Sequence, residues 1–181
     1  MAVQTLYQNA IIFATEKHLE KGQKVPGTDL PYVVHLSNVA MEIIVATFHS
    51  DHFNLDFAVQ VALLHDTIED TETTIEEIKK VFGFNLAMAV SALTKNSDLP
   101  KEKQMQDSLK RIKKLDTEVW AVKIADRITN LQPPPPHWNN FKKRKYQEEA
   151  KVILRELREG NYFLSKRLEE KIEEYENYTN S

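Results

Sequence analysis

Apolar residues recur along this chain at intervals of three and four, and no clear run alternates with a period of two between hairpin-type turns. That pattern predicts an all-α fold. The spacing predicts a first helix from Val3 to Glu20, broken by Lys21-Gly22-Gln23-Lys24-Val25-Pro26-Gly27, a stretch that combines glycine and proline. A second helix carries His35 near its start and ends around Phe48. Residues Asp56 to Glu69 read as a central buried helix, because Ala58-Val59-Gln60-Val61-Ala62-Leu63-Leu64 leaves almost no polar face.

Thr74 with Glu77 predicts a capping box that opens a short helix ending at Gly83. Further helices are expected from Asn85 to about Leu93, from Leu99-Pro100 through a Lys- and Gln-rich stretch, and from Thr117 to about Leu131. Pro133-Pro134-Pro135-Pro136 excludes helix, since each ring removes a donor and fixes φ. A stiff polyproline II connector is the expectation there. Two helices close the chain, Asn139 to Arg158 and Tyr162 to about Tyr175, the second read as a solvated surface helix. With 181 residues and no internal repeat, residues 1–181 are expected to form one domain.

Composition removes several function classes. No cysteine is present, so disulfides, iron–sulfur clusters and cysteine nucleophiles are excluded. Basic and acidic residues number 24 and 27, a net charge of -3 that gives no general drive toward nucleic acid or membrane. The basic run Lys142-Lys143-Arg144-Lys145 lacks the second stripe that nucleic-acid binding would want. No stretch is apolar and long enough to span a bilayer, and Met1-Ala2-Val3-Gln4 lacks the features of a signal peptide. A cytoplasmic location is expected.

One segment departs from the amphipathic pattern. His65-Asp66-Thr67-Ile68-Glu69-Asp70 places four ionisable groups directly after the apolar run. Buried charge is costly unless it is paired or bound to metal. Adjacent His65 and Asp66 stand about 100° apart around a helix, so one ion beside it touches both. His35 and Asp126, the latter embedded in Val122-Lys123-Ile124-Ala125-Asp126-Arg127, are the candidates for the remaining ligands. Taken alone, His35 reads better as a satisfied core histidine, and Asp126 as a partner of Arg127 or Lys123. Taken together with the doublet they favour a metal. Two His and two Asp suit Mn, Fe, Co, Ni or Zn better than Ca or Mg, and leave positions open for water or phosphate oxygen. Glu69 and Asp70 follow His65 and Asp66 by four residues, which predicts a shared face where a carboxylate can orient water and take its proton. Acids at a helix C-terminus oppose the macrodipole, which weighs against reading them as plain helix-end residues.

These residues resemble the HD phosphohydrolase superfamily, whose mark is a lone His, then His-Asp, then a distant Asp. Pro31-Tyr32-Val33-Val34-His35, the string Ala62 to Thr71, Thr74-Ile75-Glu76-Glu77-Ile78 with Phe82-Gly83, Ala92-Leu93-Thr94-Lys95, and Lys123 to Leu131 occur in the order found in RelA/SpoT-type alarmone hydrolases. The resemblance covers roughly Leu6 to Leu157 and is greatest to the stand-alone small alarmone hydrolases of the metazoan SpoT homologue type. It implies an HD-domain helical bundle that removes the 3′-pyrophosphate of guanosine tetra- or pentaphosphate with Mn²⁺, other divalent transition metals being alternatives.

On that resemblance His35, His65, Asp66 and Asp126 are the metal ligands, and Glu69 and Asp70 the water-activating acids. Asn130, on one helix face with Lys123, contacts substrate. Lys142 and Tyr146 stand where the family places a basic residue, commonly Arg, and a Tyr over the nucleotide. Lys24 takes the place of a basic pair in the loop after the first helix. Lysines are expected to stabilise the departing pyrophosphate. The implied partner is a small-molecule nucleotide, with no nucleic acid and no membrane, and the oligomeric state is left open. Two other readings stand beside it: an HD phosphohydrolase for another phosphorylated nucleotide, and a non-catalytic metal- or nucleotide-sensing module, which would not need Glu69 and Asp70.

Overall fold

The structure is a computed structural model that describes residues 1–179. Its helices are α1 (Val3–Glu20), α2 (Val33–Thr47), α3 (Leu55–Leu64), α4 (Thr67–Asp70), α5 (Ile75–Phe82), α6 (Phe84–Leu93), α7 (Lys101–Ile112), α8 (Thr117–Asn130), α9 (Asn140–Leu157) and α10 (Tyr162–Thr179). Among the described residues there is no β-strand; one isolated antiparallel bridge, Lys24 with Pro31, closes the loop after α1. No helix among them is long and apolar enough to cross a membrane.

Helix α3 occupies the centre because it has no polar face: Ala58 through Leu64 are all buried. It packs against α1, α2, α6 and α8, and α2 also packs on α8. Leu36, Ile43, Leu63, Leu64, Ile124 and Ile128 lie fully or almost fully inside this α2–α3–α8 layer. Each such side chain contributes roughly 1.5–3 kcal/mol of burial, so the three helices that frame the candidate site are firmly held. Asn54 opens α3 by accepting a hydrogen bond from the Phe57 amide at 3.1 Å, a cap that contributes on the order of 1 kcal/mol. Thr74 caps α5 in the same way through the Glu77 amide at 3.2 Å. The Glu77 carboxylate goes to Lys17 Nζ, 2.8 Å away. Gly83 ends α5 at φ 92°, a conformation that favours glycine.

Three sequence expectations need correction. The stretch from Asp56 to Glu69 is two helices, not one. The Thr67 hydroxyl donates to the Leu64 carbonyl at 2.6 Å, and His65 Nδ1 donates to the Ala62 carbonyl at 2.7 Å. Side chains thus occupy carbonyls of the last turn, and the backbone opens at Asp66 to φ -101°, ψ -1°, the bridge region common at active sites. Helix α10 runs on to Thr179 and is not solvated all round. Leu164, Leu168, Ile172, Tyr175 and Thr179 are buried at three- and four-residue spacing, and they pack on α8 and α9. The many charges on the other face hid that stripe. Finally, the proline run is more than a connector, because Pro133, Pro134 and Pro135 line a cavity described below.

Candidate active site

His35 stands in the first turn of α2, His65 and Asp66 at the break between α3 and α4, and Asp126 on α8. These four residues bring one donor atom each to within 4.8 Å of all the others. His65 Nε2 lies 3.0 Å from Asp66 Oδ2 and 3.6 Å from Asp126 Oδ1. His35 Nε2 lies 3.7 Å from Asp66 Oδ2, 3.5 Å from Asp126 Oδ1 and 3.4 Å from His65 Nε2.

That spacing fits a metal. Ligands about 2.1 Å from an ion stand roughly 3.0 Å apart at octahedral right angles and roughly 3.4 Å apart in a tetrahedron. The two imidazoles also aim Nε2 at each other across 3.4 Å, while His65 commits Nδ1–H to the Ala62 carbonyl. A neutral His65 therefore turns its lone pair into the cluster, the arrangement that metal-binding histidines show. The mixed nitrogen and oxygen donors suit a divalent transition cation.

A second layer of hydrogen bonds fixes the donors. The Tyr32 hydroxyl donates to Asp66 Oδ2 at 2.5 Å. Lys123 Nζ donates to Asp126 Oδ2 at 2.9 Å, and the Asn130 amide to Asp126 Oδ1 at 2.5 Å. Lys123 and Asn130 reach the same carboxylate because they sit three residues before and four after it. Electrostatics follow from this crowding. Desolvation favours a neutral His65, yet Asp66 and Asp126 outweigh it and hold the imidazole well above its usual value. Desolvation also opposes charge on the two aspartates. Lys123 with both histidines nevertheless pulls Asp126 well below the usual carboxylate range, and His65 foremost pulls Asp66 down.

The two acids of α4 diverge. Glu69 is held by Lys95 twice: the ammonium donates to Oε1 at 2.6 Å and the backbone amide to Oε2 at 2.9 Å. Asp70 accepts from Gln23 Nε2 at 2.7 Å, and Gln23 Oε1 accepts from His18 Nδ1 at 2.6 Å. Burial first, and the charge of Asp66 second, raise the Asp70 carboxyl above its ordinary value.

Beside the cluster lies a cavity of about 290 Å³. His35, Thr129 and Asn130 form its floor, Val25, Pro26 and Pro133–Pro135 one wall, and Trp138, Tyr146 and Tyr175 another. Tyr146 is wedged between the Trp138 ring, centroids 5.2 Å apart, and the Arg127 guanidinium, 4.4 Å from its ring centre. Two expected substrate contacts fall elsewhere. Lys24 turns outward to Asp29 at 2.6 Å, and its neighbours Val25 and Pro26 face the cavity instead. Lys142 lies over the outer face of Trp138, 4.1 Å from the ring centre, and borders a shallower depression with Tyr146. Both residues are exposed, and a flexible side chain there follows its nearest partner.

Several participants escaped the sequence reading. Tyr32 precedes His35 by one turn, and that spacing was the available signal. Gln23 and Trp138 come from loops, where no periodicity points at a site. Arg127 is expected only as a partner of Asp126 but stacks on Tyr146 instead, and Lys95 meets Glu69 from 26 residues away, a contact that no local spacing signals.

Residues 10–159 match the HD domain family. The guanosine-3′,5′-bis(diphosphate) 3′-pyrophosphohydrolase MESH1 of Danio rerio is 32% identical over 163 residues, covering 87% of each chain. A guanosine-3′,5′-bis(diphosphate) 3′-pyrophosphohydrolase of Aquifex aeolicus is 38% identical over 131 residues, 69% of this chain but 17% of that longer one. A solved structure described as a metazoan ortholog of SpoT that hydrolyzes ppGpp superposes with a TM-score of 0.79 at 26% identity, over 93% of this chain and 94% of the other. The order of the helices, the His and Asp donors they gather, and these similarities agree: the chain belongs to the HD-domain family, in its MESH1-like group.

Proposed function

We propose that this protein hydrolyses guanosine 3′,5′-bis(diphosphate) alarmones at the 3′ position, releasing pyrophosphate and leaving GDP, or GTP from the pentaphosphate. The observation that carries this function is the four-donor cluster bordering, through His35, a cavity of nucleoside size lined also by Thr129 and Asn130. The MESH1 relative, named for this activity, matches nearly the whole chain.

In this mechanism His35, His65, Asp66 and Asp126 hold a divalent cation, Mn²⁺ in our reading. When bound, such an ion lowers the pKa of water and offsets phosphate charge. Water attacks the phosphorus attached to the ribose 3′ oxygen, the P–O3′ bond breaks, and O3′ takes up a proton. Asp70 accepts the proton of the attacking water, a role favoured by a carboxyl raised toward the working pH. Gln23 fixes the rotamer of Asp70, and Lys95 fixes Glu69 as an oriented charge beside it. Asn130 and Tyr146 border the sugar and base, and Lys123 balances the negative charge gathered at Asp126.

Purified protein supplied with Mn²⁺ and the guanosine tetraphosphate is expected to release pyrophosphate in equimolar amount with GDP. Stripping the metal with a chelator should stop the release, and Mn²⁺ should restore it. An intact alarmone alongside turnover of a different nucleotide would reject this substrate and keep the phosphohydrolase chemistry.

A further inference from the structure

We propose that a second cavity, whose lining includes Lys123 beside Asp126 and Lys95 beside Glu69, is a diphosphate seat that receives the pyrophosphate formed when the P–O3′ bond breaks. It encloses about 270 Å³ where α6, α7, α8 and α9 meet. Lys95, Lys101, Lys123, Arg127 and Lys145 line it, against one acid, Glu149. The nucleoside cavity beside His35 has no Lys, Arg, Asp or Glu in its lining. The two chambers are therefore sorted by charge, one for rings and one for phosphate.

Three observations point to an anion. The first is connection to the candidate active site. Lys123 Nζ lies 2.9 Å from Asp126 Oδ2, and Lys95 Nζ lies 2.6 Å from Glu69 Oε1. Two cations of the seat thus already touch carboxylates of the proposed machinery. The second is Arg127. It is 9% exposed, and its Nε and Nη1 have no hydrogen-bond partner. Glu149 stands 3.9 Å from Nη2, too far for a hydrogen bond. Tyr146 supports one face of the guanidinium but accepts nothing from its edge. Buried donors are ordinarily satisfied, and a guanidinium fork matches phosphate oxygens two at a time. The third is the outer pair, Lys101 and Lys145. Neither has a carboxylate within 4.0 Å among the described residues, so their charge is free to meet a ligand.

The chemistry balances with this placement. The water oxygen bonds to phosphorus and stays with the pyrophosphate, the proton passes to O3′, and the nucleoside end keeps its own chamber. The product keeps the diphosphate's negative charge but loses its tether to the ribose, and it leaves past Lys101 and Lys145.

This inference rests on the proposed activity, so binding and turnover are measured separately. Lys101→Gln/Lys145→Gln alters two exposed side chains and spares the cluster. Direct titration of the purified protein with inorganic pyrophosphate should show at least tenfold weaker binding by the variant. Product inhibition in the alarmone assay should move in parallel, with the inhibition constant for pyrophosphate raised about tenfold and that for GDP unchanged. A raised constant for GDP with none for pyrophosphate would overturn the proposal and assign the seat to the 5′-diphosphate. Equal pyrophosphate binding by variant and wild type would also overturn it, whether or not the alarmone is hydrolysed. Weakened pyrophosphate binding in a protein that leaves the alarmone intact would keep the seat and remove the assigned substrate.

Discussion

The four-donor cluster and the wall of the nucleoside cavity meet at His35, yet they are built by opposite means. Donors of the cluster come from buried positions on α2, α8 and the α3–α4 break. Most are pinned again from behind: His65 by Ala62, Asp66 by Tyr32, Asp126 by Lys123 and Asn130. The cavity wall comes from the 25–26 and 133–138 loops and from aromatic rings of α9 and α10. It is held by ring contacts and proline stiffness, with few directional bonds. On the proposed function, the difference teaches that reaction chemistry would be fixed by the core, whereas recognition would be written on parts that can change without disturbing the core.

Substitutions in the cluster test this contrast most severely. His65→Ala or Asp126→Ala is expected to lower kcat/KM by on the order of 10³-fold or more, because the electrostatic centre of the reaction is lost. Bound metal per chain should fall with it in elemental analysis. Retention of both metal and activity would erase the distinction between the two regions. Asp70→Asn should reduce kcat by roughly 10²-fold or more while the metal stays bound, the usual contribution of a positioned proton acceptor.

The next effect is a pH dependence. His65 is held well above its ordinary 6.5 by Asp66 and Asp126, against desolvation. In the metal-free protein this contribution to stability is fully present below that ordinary value and is lost as pH rises through the raised one. A cation needs the neutral imidazole, so metal affinity should climb with pH by up to about tenfold per unit for each proton displaced, levelling off above the raised value. Metal titrations at a series of pH values check the slope, and a flat profile would show that His65 does not titrate against the metal.

Wall substitutions should be gentler and land on KM. Trp138→Ala removes the ring that supports Tyr146 and should raise KM by roughly 2- to 10-fold, in keeping with the about 0.5–1.5 kcal/mol of an aromatic pair. Its kcat should change little. Smallest of all, Lys24→Ala breaks an exposed pair with Asp29 and should leave kcat/KM within about twofold. A large loss there would mean that the loop after α1 swings Lys24 inward on binding.

What was legible in the sequence follows the same division. The bounds of α1 and α2, the stop at Gly83 and the cap at Thr74 are local matters of period and punctuation. Grouping His35 and Asp126 with the doublet was legible because burying them without a partner would be costly. The break after Leu64 was not, since it depends on His65 and Thr67 side chains taking carbonyls of the preceding turn. Gln23 and Trp138 reach the site through tertiary placement, for which spacing holds no signal, whereas Tyr32 stands one turn before His35. Lys24 and Lys142 are implied by the resemblance alone, and long exposed side chains satisfy themselves wherever an acid or a ring is nearest.

The proline run that bounds the nucleoside chamber has a kinetic consequence. Each pyrrolidine ring restricts φ whether or not a guest is present, and the run leans on Gly27, where an added Cβ would stand 3.6 Å from the Pro135 ring. A partition of this kind keeps its outline when empty, so no folding of the strap has to precede entry. Capture of the nucleotide should follow a single exponential whose rate scales linearly with ligand concentration, without the plateau that a gated doorway imposes.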